Sequence, residues 1–385
     1  MKILIFGNFG SGNTGDDVIL MAMLREFRQL DPAAQITVIS GDPVLTERLH
    51  RVKAIRRRFS PEVVQAIAQA DVVIIGGGGI VIDQVHSNLK YSLVILTANL
   101  FRKPIMVYAI GLDTLTKSLA RTAFKFSFDR VSLIALRDEE SQVEMGKLGV
   151  TRPPIYITAD PAFTLDTPRR NDFCEVLTRA GVYEKSSPLI GISVWPTDNF
   201  TSYPRVFQIF ADVADHLIVE YDCRIAFLVT STSGWQGDLE GSCRILEMMK
   251  HQDSAQVLGA FYRPRALMAT FGQMDLVIGM RYHSLVLSTL MHVPFIGIER
   301  KKYPKITYFL KEVQQTSGGS AHNVTTDQLR ECIARVWKNR AEMKSLIIEG
   351  DNMLRKRASR NIKLFKELVA SQSANGLAHH SVQKP

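Results

Sequence analysis

Short apolar segments rich in β-branched residues alternate with amphipathic ones through the first half of the chain, and the alternation restarts in the second. The strand-like runs of the first half are Lys2–Phe6, Gln35–Ile39, Val72–Ile75, Ile105–Tyr108, Leu133–Leu136 and Ile155–Thr158. Helical patterns such as Val18–Leu30, Pro61–Ala70 and Ser141–Leu148 fall between them. Strands that are apolar throughout need cover on both faces, the condition of a parallel sheet flanked by helices. After polar breaks at Thr167–Asp172 and Glu184–Pro188, which bracket a short helical segment, the strands are Leu189–Val194, Arg224–Thr230, Ala255–Leu258, Leu276–Ile278 and Phe295–Ile298. Helices are expected at Val206–Glu220, Arg263–Gln273 and Ser284–Met291. A chain of 385 residues also exceeds what one core usually serves. The fold class predicted is α/β, with two Rossmann-like, doubly wound parallel-sheet domains facing across a cleft, residues 1–168 and 188–350. A closing helix over 351–370 and a disordered tail over 371–385 follow.

The net charge of +9 admits nucleic acid, an acidic membrane leaflet or an anionic substrate as partners. The basic runs Arg51–Arg58, Arg300–Lys305 and Arg355–Lys363 are separate and form no aromatic-interleaved platform or DNA-reading motif, which argues against nucleic acid. Solvated helix faces account for such runs equally well. Cys174, Cys223, Cys243 and Cys332 are widely spaced, without metal-ligand or disulfide-framework spacing, and no metal is expected. The opening Met1–Gly7 reads as a first strand rather than a signal peptide, and no apolar run is long enough to span a bilayer. The expected location is cytoplasmic.

Ligands of doubly wound sheets bind beyond the carboxyl ends of the strands, so the strand-to-helix loops carry the functional expectation. The first is Gly7-Asn8-Phe9-Gly10-Ser11-Gly12-Asn13-Thr14-Gly15-Asp16-Asp17, with a literal GxGxxG that suits close approach of an anion to a helix N-terminus. It is longer than a dinucleotide fingerprint, and the next acid, Asp42, comes late for a ribose contact. Asp16 and Asp17 suit a helix cap, a ligand contact, or both. The next such loop is Gly76-Gly77-Gly78-Gly79, readable as a tight turn or as a backbone floor for substrate, with Asp83 near enough to accept a hydroxyl. Arg137 ends a further strand ahead of Asp138-Glu139-Glu140 and either pairs locally or clamps an anion. Gly279-Met280-Arg281-Tyr282-His283-Ser284 is the strongest constellation: an extended loop would aim Arg281 and His283 the same way, joining an anion clamp to a titratable imidazole.

Taken in order, GNFGSGNTGDDVIL, the glycine run, AIGLD (Ala109–Asp113), LRDEES, ADPAF (Ala159–Phe163), GISV (Gly191–Val194), GMRYHS and the Pro304-Lys305 pair resemble the polysaccharide pyruvyl transferase family. The resemblance spans roughly residues 3 to 306. It implies a GT-B-like arrangement of two Rossmann-like domains, no cofactor, phosphoenolpyruvate as co-substrate, and a hexose or amino-sugar acceptor. The basic surface, separately, suits a nucleotide- or lipid-diphosphate-linked acceptor and peripheral contact with the inner membrane face. By the same resemblance Arg281 clamps the donor and His283 is the catalytic acid/base. Arg137 and Lys305 are further anion contacts, while Asn13, Asp16, Gly77, Gly78 and Asp83 lie on the acceptor side. Two departures affect the donor side: Trp195-Pro196 stands where the family often has arginine, and the segment before Lys305 is longer and more basic. The competing readings are a nucleotide-sugar glycosyltransferase of the same architecture, an NAD(P)-dependent oxidoreductase, and a non-catalytic sugar- or lipid-binding module.

Overall fold

The structure is a computed structural model, and it describes residues 1–168, 187–195, 204–231, 237–259, 263–300 and 305–381. Cys174, Pro196, the short helical segment expected between the two polar breaks and residues 301–304 lie outside the described residues. The chain divides into two units. The first comprises Met1–Ser11, Asp16–Leu165 and Leu354–Pro385, and the second Gly12–Gly15 and Asp166–Met353.

In the first unit the elements run β1 (Lys2–Phe6), α1 (Thr14–Leu30), β2 (Gln35–Ser40), α2 (Pro43–His50), β3 (Lys53–Arg56), α3 (Pro61–Gln69), β4 (Val72–Val81), α4 (Val85–Leu100), β5 (Ile105–Leu112), α5 (Ser118–Phe128), β6 (Leu133–Leu136), α6 (Glu139–Lys147) and β7 (Ile155–Ile157). All strands pair in parallel, in the order β3-β2-β1-β4-β5-β6-β7. The period of two sorts side chains between two cores. Leu4, Phe6, Val73 and Ile75 join one cluster. Ile3, Ile5, Val72 and Ile74 join the other, with Ile19, Met23 and Phe27 of α1.

Three features depart from the sequence expectation. Strand β3 lies inside the basic run Arg51–Arg58; as an edge strand it needs only one partner and buries only Ile55. Helix α4 was not visible in the sequence because it is apolar on both faces and shows no helical period. The glycine run is not a tight turn: β4 continues through it to Val81, with a register shift against β5 between Gly78 and Val81. Gly77 and Gly78 have φ of 76° and 88°, which favour glycine. A Cβ on Gly77 would also lie 2.4 Å from Ile19 Cγ2, so the glycine lets α1 pack on the strand.

The second unit runs β8 (Leu189–Ser193), α7 (Pro204–Tyr221), β9 (Arg224–Leu228), α8 (Asp238–Met248), β10 (Ala255–Leu258), α9 (Pro264–Phe271), β11 (Leu276–Gly279), α10 (Tyr282–Leu290), β12 (Phe295–Glu299), α11 (Lys305–Glu312), β13 (Thr316–Ser320) and α12 (Thr326–Lys338). Its parallel sheet has the order β10-β9-β8-β11-β12-β13, the same winding as the first. Strand β13, Thr-Ser-Gly-Gly-Ser, has no apolar pattern to announce it and is again an edge.

Helices α13 (Arg340–Ala358) and α14 (Arg360–Ser381) close the chain, so residues 371–381 continue a helix rather than forming a tail. Extending an established helix carries no nucleation cost, which a periodicity argument overlooks. The basic run Arg355–Lys363 has a structural use within the first unit. Arg355 Nη1 donates to Leu165 O at 2.8 Å, Arg357 Nη2 to Thr158 O at 2.7 Å and Asn361 Nδ2 to Ala159 O at 3.0 Å. Leu364, Phe365 and Leu368 then enter the core under β1 and β5.

One polar pair sits in that core. Tyr108 Oη donates to Glu26 Oε2 at 2.9 Å, and burial pushes the Glu26 carboxyl up to about 7 while the Tyr108 hydrogen bond pulls it down. From the ordinary value of 4.5 to about 7, the unfolded chain ionises while the folded carboxyl keeps its proton. Stability therefore falls as pH rises through that window and is lowest above it, by about 3 kcal/mol. Glu26→Gln should flatten the fall in unfolding midpoint between pH 5 and 8; an unchanged slope would remove Glu26 as its source.

Candidate functional site

In each sheet the winding reverses between two neighbouring strands, β1 and β4 in the first unit and β8 and β11 in the second. Both chains of connections leave in opposite directions there, so the carboxyl ends of those strands open a crevice. Of the predicted loops, Gly7–Asp17 follows β1 and Gly279–Ser284 runs on from β11, whereas Arg137 follows β6 and the glycine run lies inside β4.

In the first unit, the loop after β1 is drawn to Asp16 in the first turn of α1. Asn8 Nδ2 donates to Asp16 Oδ2 at 2.8 Å and to Ser11 Oγ at 3.1 Å. Arg57 Nη1, at the end of β3, donates to Asn8 Oδ1 at 2.9 Å and Gly7 O at 3.1 Å. A Cβ on Gly78 would lie 3.2 Å from Asp16 Oδ1, so Asp16, Gly77 and Gly78 are brought together. The helix cap belongs to neither aspartate: Asn13 Oδ1 accepts the Gly15 N–H at 3.0 Å, and Asp17 instead faces His50 Nε2 at 3.4 Å. Asp83 does accept a hydroxyl, that of Thr116 at 2.5 Å, along with the Thr116 N–H at 2.9 Å. The Thr116 hydroxyl bond holds its carboxyl below the ordinary value.

Arg137, at the end of β6, is buried against Gly111, where a Cβ would come within 2.5 Å of Nε. Its Nε lies 3.3 Å from Asp138 Oδ2 and its Nη1 3.3 Å from Asp160 Oδ2, the aspartate of the ADPAF segment. Asp138 also caps α6 through the Ser141 N–H at 2.8 Å. The local pairing is therefore present and extends to a second carboxylate.

In the second unit, Arg281 follows β11 as the cap of α10 and is 9% exposed. Its Nε donates to Asp238 Oδ1 at 2.9 Å, and its Nη2 donates to the same oxygen. Asp238, with no exposed surface, accepts through Oδ2 from Thr230 N and Oγ1, both at 3.1 Å, and from Ser231 N at 3.0 Å. The Arg281 guanidinium carbon lies 3.4 Å from the centre of the Trp195 ring, and that of Arg300 lies 3.3 Å from it. Two guanidinium groups at that distance cannot share one face, so the indole is sandwiched between them. Glu299, at the end of β12, accepts from the backbone of Arg300 at 3.0 Å and of Ile306 at 2.8 Å, occupying the start of α11, where Lys305 is the first residue.

His283 corrects the geometric premise of the sequence reading. The chain is extended at Arg281 (φ −99°, ψ 131°) but helical from Tyr282, so an alternating pattern does not aim the two side chains. Packing sets the imidazole instead. It lies edge-on to Tyr282, with ring centres 5.7 Å apart, and a Cβ on Gly15 would come 2.4 Å from its Cγ. Gly12–Gly15 belongs to this unit, held by Thr14 N–H to Thr230 O at 2.9 Å and a bridge between Asn13 and Ser231. Asn13, Arg281 and His283 thus share one neighbourhood around Thr230, Ser231 and Asp238. Among the described residues no group of three His, Cys, Asp or Glu is placed to hold a metal ion.

The sequence profile of the polysaccharide pyruvyl transferase family matches residues 13–302. The chain belongs to that family. Its loops at the ends of β1, β4, β8 and β11 are thus those of a transferase family, and all four lie in or beside the matched stretch. The amylovoran biosynthesis protein AmsJ of Erwinia amylovora is 24% identical over 351 residues, covering 77% of this chain and 83% of AmsJ. In fold, HepE of Anabaena in complex with UDP and glucose is similar with a TM-score of 0.67 at 13% identity, covering 96% of this chain and 100% of HepE. The MnaA–UDP structure from S. aureus has a TM-score of 0.65 at 12% identity, over 95% of this chain and 97% of that one. The two structural likenesses give the chain the α/β fold of GT-B-like proteins.

Sequence reasoning missed Asp238, and took Trp195 and the segment that holds Glu299 and Arg300 only as departures. Asp238 is 43 residues from Arg281, and no spacing rule links an aspartate at a helix start to an arginine two strands away. Removing one partner of a buried pair strands the other charge, which costs about 3 to 5 kcal/mol. Asp238→Ala should therefore destabilise the protein by about 3 kcal/mol in denaturant unfolding. A loss well under 1 kcal/mol would mean that Asp238 does not anchor Arg281.

Proposed function

We propose that the protein transfers pyruvate from phosphoenolpyruvate to two hydroxyls of a sugar, in a polysaccharide or its precursor, forming a cyclic ketal and releasing phosphate. The observation that carries this reading is the fixed guanidinium of Arg281, held by Asp238 on one edge and Trp195 on one face, two residues before His283. An anion clamp that does not reorganise as charge shifts is what a trianionic donor requires.

The chemistry follows from the donor. Phosphoenolpyruvate is an enol ester of phosphate. Protonation at C3 by His283 makes C2 electrophilic, one sugar hydroxyl attacks C2, and the C2–O bond to phosphate breaks. The second hydroxyl closes the ketal, and both hydroxyl protons are released, one restoring the imidazolium and the other leaving with phosphate. Arg281 and Lys305 hold the carboxylate and phosphate of the donor, while Arg137 keeps its buried pairing with Asp138 and Asp160. Asn13, Asp16, Gly77, Gly78 and Asp83 orient the acceptor. No cofactor takes part in these steps.

Trp195 takes the place of an arginine by building a stack that fixes two others, Arg281 and Arg300. A nucleotide-sugar glycosyltransferase is the second reading, because HepE and MnaA were each solved with UDP. It would release a nucleoside diphosphate instead of phosphate.

Phosphate release from phosphoenolpyruvate, measured with and without a panel of sugars, should depend on an acceptor and fall at least about 10²-fold in His283→Ala. Release of nucleoside diphosphate from a nucleotide sugar, with none from phosphoenolpyruvate, would favour the second reading. In the same assay Trp195→Ala should raise KM for phosphoenolpyruvate roughly tenfold while changing kcat less, as expected of a stack worth about 1 to 2 kcal/mol. Trp195→Phe should recover most of that loss, and an unchanged KM in Trp195→Ala would remove the stack from donor binding.

A further inference from the structure

Helix α4 of the first unit has an unusual surface. It holds one lysine and no acid in its sixteen residues. Its inner face, with Tyr91, Val94, Ile95 and Ala98, is buried in the core. Its outer face carries Leu89, Leu93 and Leu100, all exposed, the last at 79%. At 3.6 residues per turn these three fall on one ridge, directly opposite the buried side. A surface helix ordinarily turns charged residues to water, and one that is apolar all round is ordinarily buried.

The ridge does not stop at α4. Ser127 Oγ donates to Ser92 Oγ at 3.0 Å and Ser92 Oγ to Ala123 O at 3.3 Å, joining α4 and α5 through small residues. On α5, Leu119 and Phe126 are 61% and 51% exposed, and the Arg130 guanidinium lies 3.6 Å over the Phe126 ring, adding a cation to the border of the ridge. At the α4 side the apolar surface continues into a cavity of about 360 Å³ bordered by Phe59, Val63, Leu93 and Lys90. Exposed apolar side chains scattered singly need no explanation, but a contiguous strip along two packed helices does.

Charge indicates what covers it. From Gln84 to Phe126 the sequence has six lysines and arginines and a single acid, Asp113, which is buried. Lys90, Arg102, Lys117 and Lys125 are all exposed around the strip. Asp129 offsets Lys125 at 2.5 Å, and Thr116 holds Asp83, the nearest other carboxylate in sequence. An apolar ridge with a basic border matches a lipid surface bearing anionic headgroups: side chains enter the acyl boundary while lysine and arginine meet phosphate. Among the described residues no helix is long and apolar enough to cross a membrane, so the contact lies along the surface.

The geometry points to the α4–α5 face as a docking surface for an anionic lipid bilayer. This inference is independent of the donor chemistry, and its test uses no turnover. The full-length protein should co-sediment with vesicles of phosphatidylcholine and phosphatidylglycerol, and much less with phosphatidylcholine alone. The binding should weaken in about 0.5 M salt, where surface charges are screened. The triple variant Leu93→Gln, Leu100→Gln, Phe126→Gln should bind about tenfold or more weakly at an unchanged unfolding midpoint. Lys90→Glu with Lys117→Glu should lose only the phosphatidylglycerol-dependent part. Absence of vesicle binding by the unmodified protein would overturn the proposal, as would full binding by the triple variant. A triple variant that instead turns a dimer into a monomer, with vesicle binding intact, would mean that a second copy covers this face.

Discussion

A carboxylate with no exposed surface must collect its hydrogen bonds from the protein, and Asp238 collects five, from Thr230, Ser231 and Arg281. Thr230 and Ser231, just after β9, donate to one oxygen; Arg281, just after β11, donates to the other. The pair therefore ties two strand ends together across β8, whose own end carries Trp195. Everything distinctive about this part of the second unit depends on it: the direction of the Arg281 guanidinium, the stack on Trp195, and through that stack the position of Arg300. Breaking the pair by losing either member costs far more than the pair contributes, which makes it a device for orientation more than for stability.

The first unit fixes its arginine by the same means. Arg137 lies between Asp138 and Asp160, over a glycine that leaves room for it. Its pairing is nearly complete burial, whereas Arg281 keeps an edge of exposure. Glycines serve the two units differently. In the first, Gly77 and Gly78 let β4 carry left-handed backbone while α1 packs on it; in the second, Gly15 lets backbone approach the His283 ring. Each is a position where a side chain has been given up for contact.

The basic surplus also divides by function. Arg355 and Arg357 spend their charge on backbone carbonyls inside the first unit, and Arg57 on the Gly7-Asn8 loop. The residues left at the surface around α4 and α5 are the ones that border an apolar strip. A net charge of +9 is thus several unrelated local arrangements, and only position separates them.

Continuous apolar strands separated by helices determined, from sequence alone, parallel sheets with helices on both faces, and the restart of the pattern after the polar breaks pointed to two of them. The same reasoning located the strand ends near Arg137, Arg281 and His283, since a loop that leaves a strand cannot be far from its end, but it placed one at the glycine run, which lies inside β4. It missed β3 and β13, edge strands that bury little, and α4, whose apolar outer face erases the helical period. Partners were decided only by tertiary structure. That Asp238 meets Arg281, that Trp195 stands between two guanidinium groups, and that Leu89, Leu93 and Leu100 face water are consequences of how strands are ordered and helices laid on them. Sequence carries the period of each element, but a contact between elements exists only once the sheet order has set which ends are neighbours.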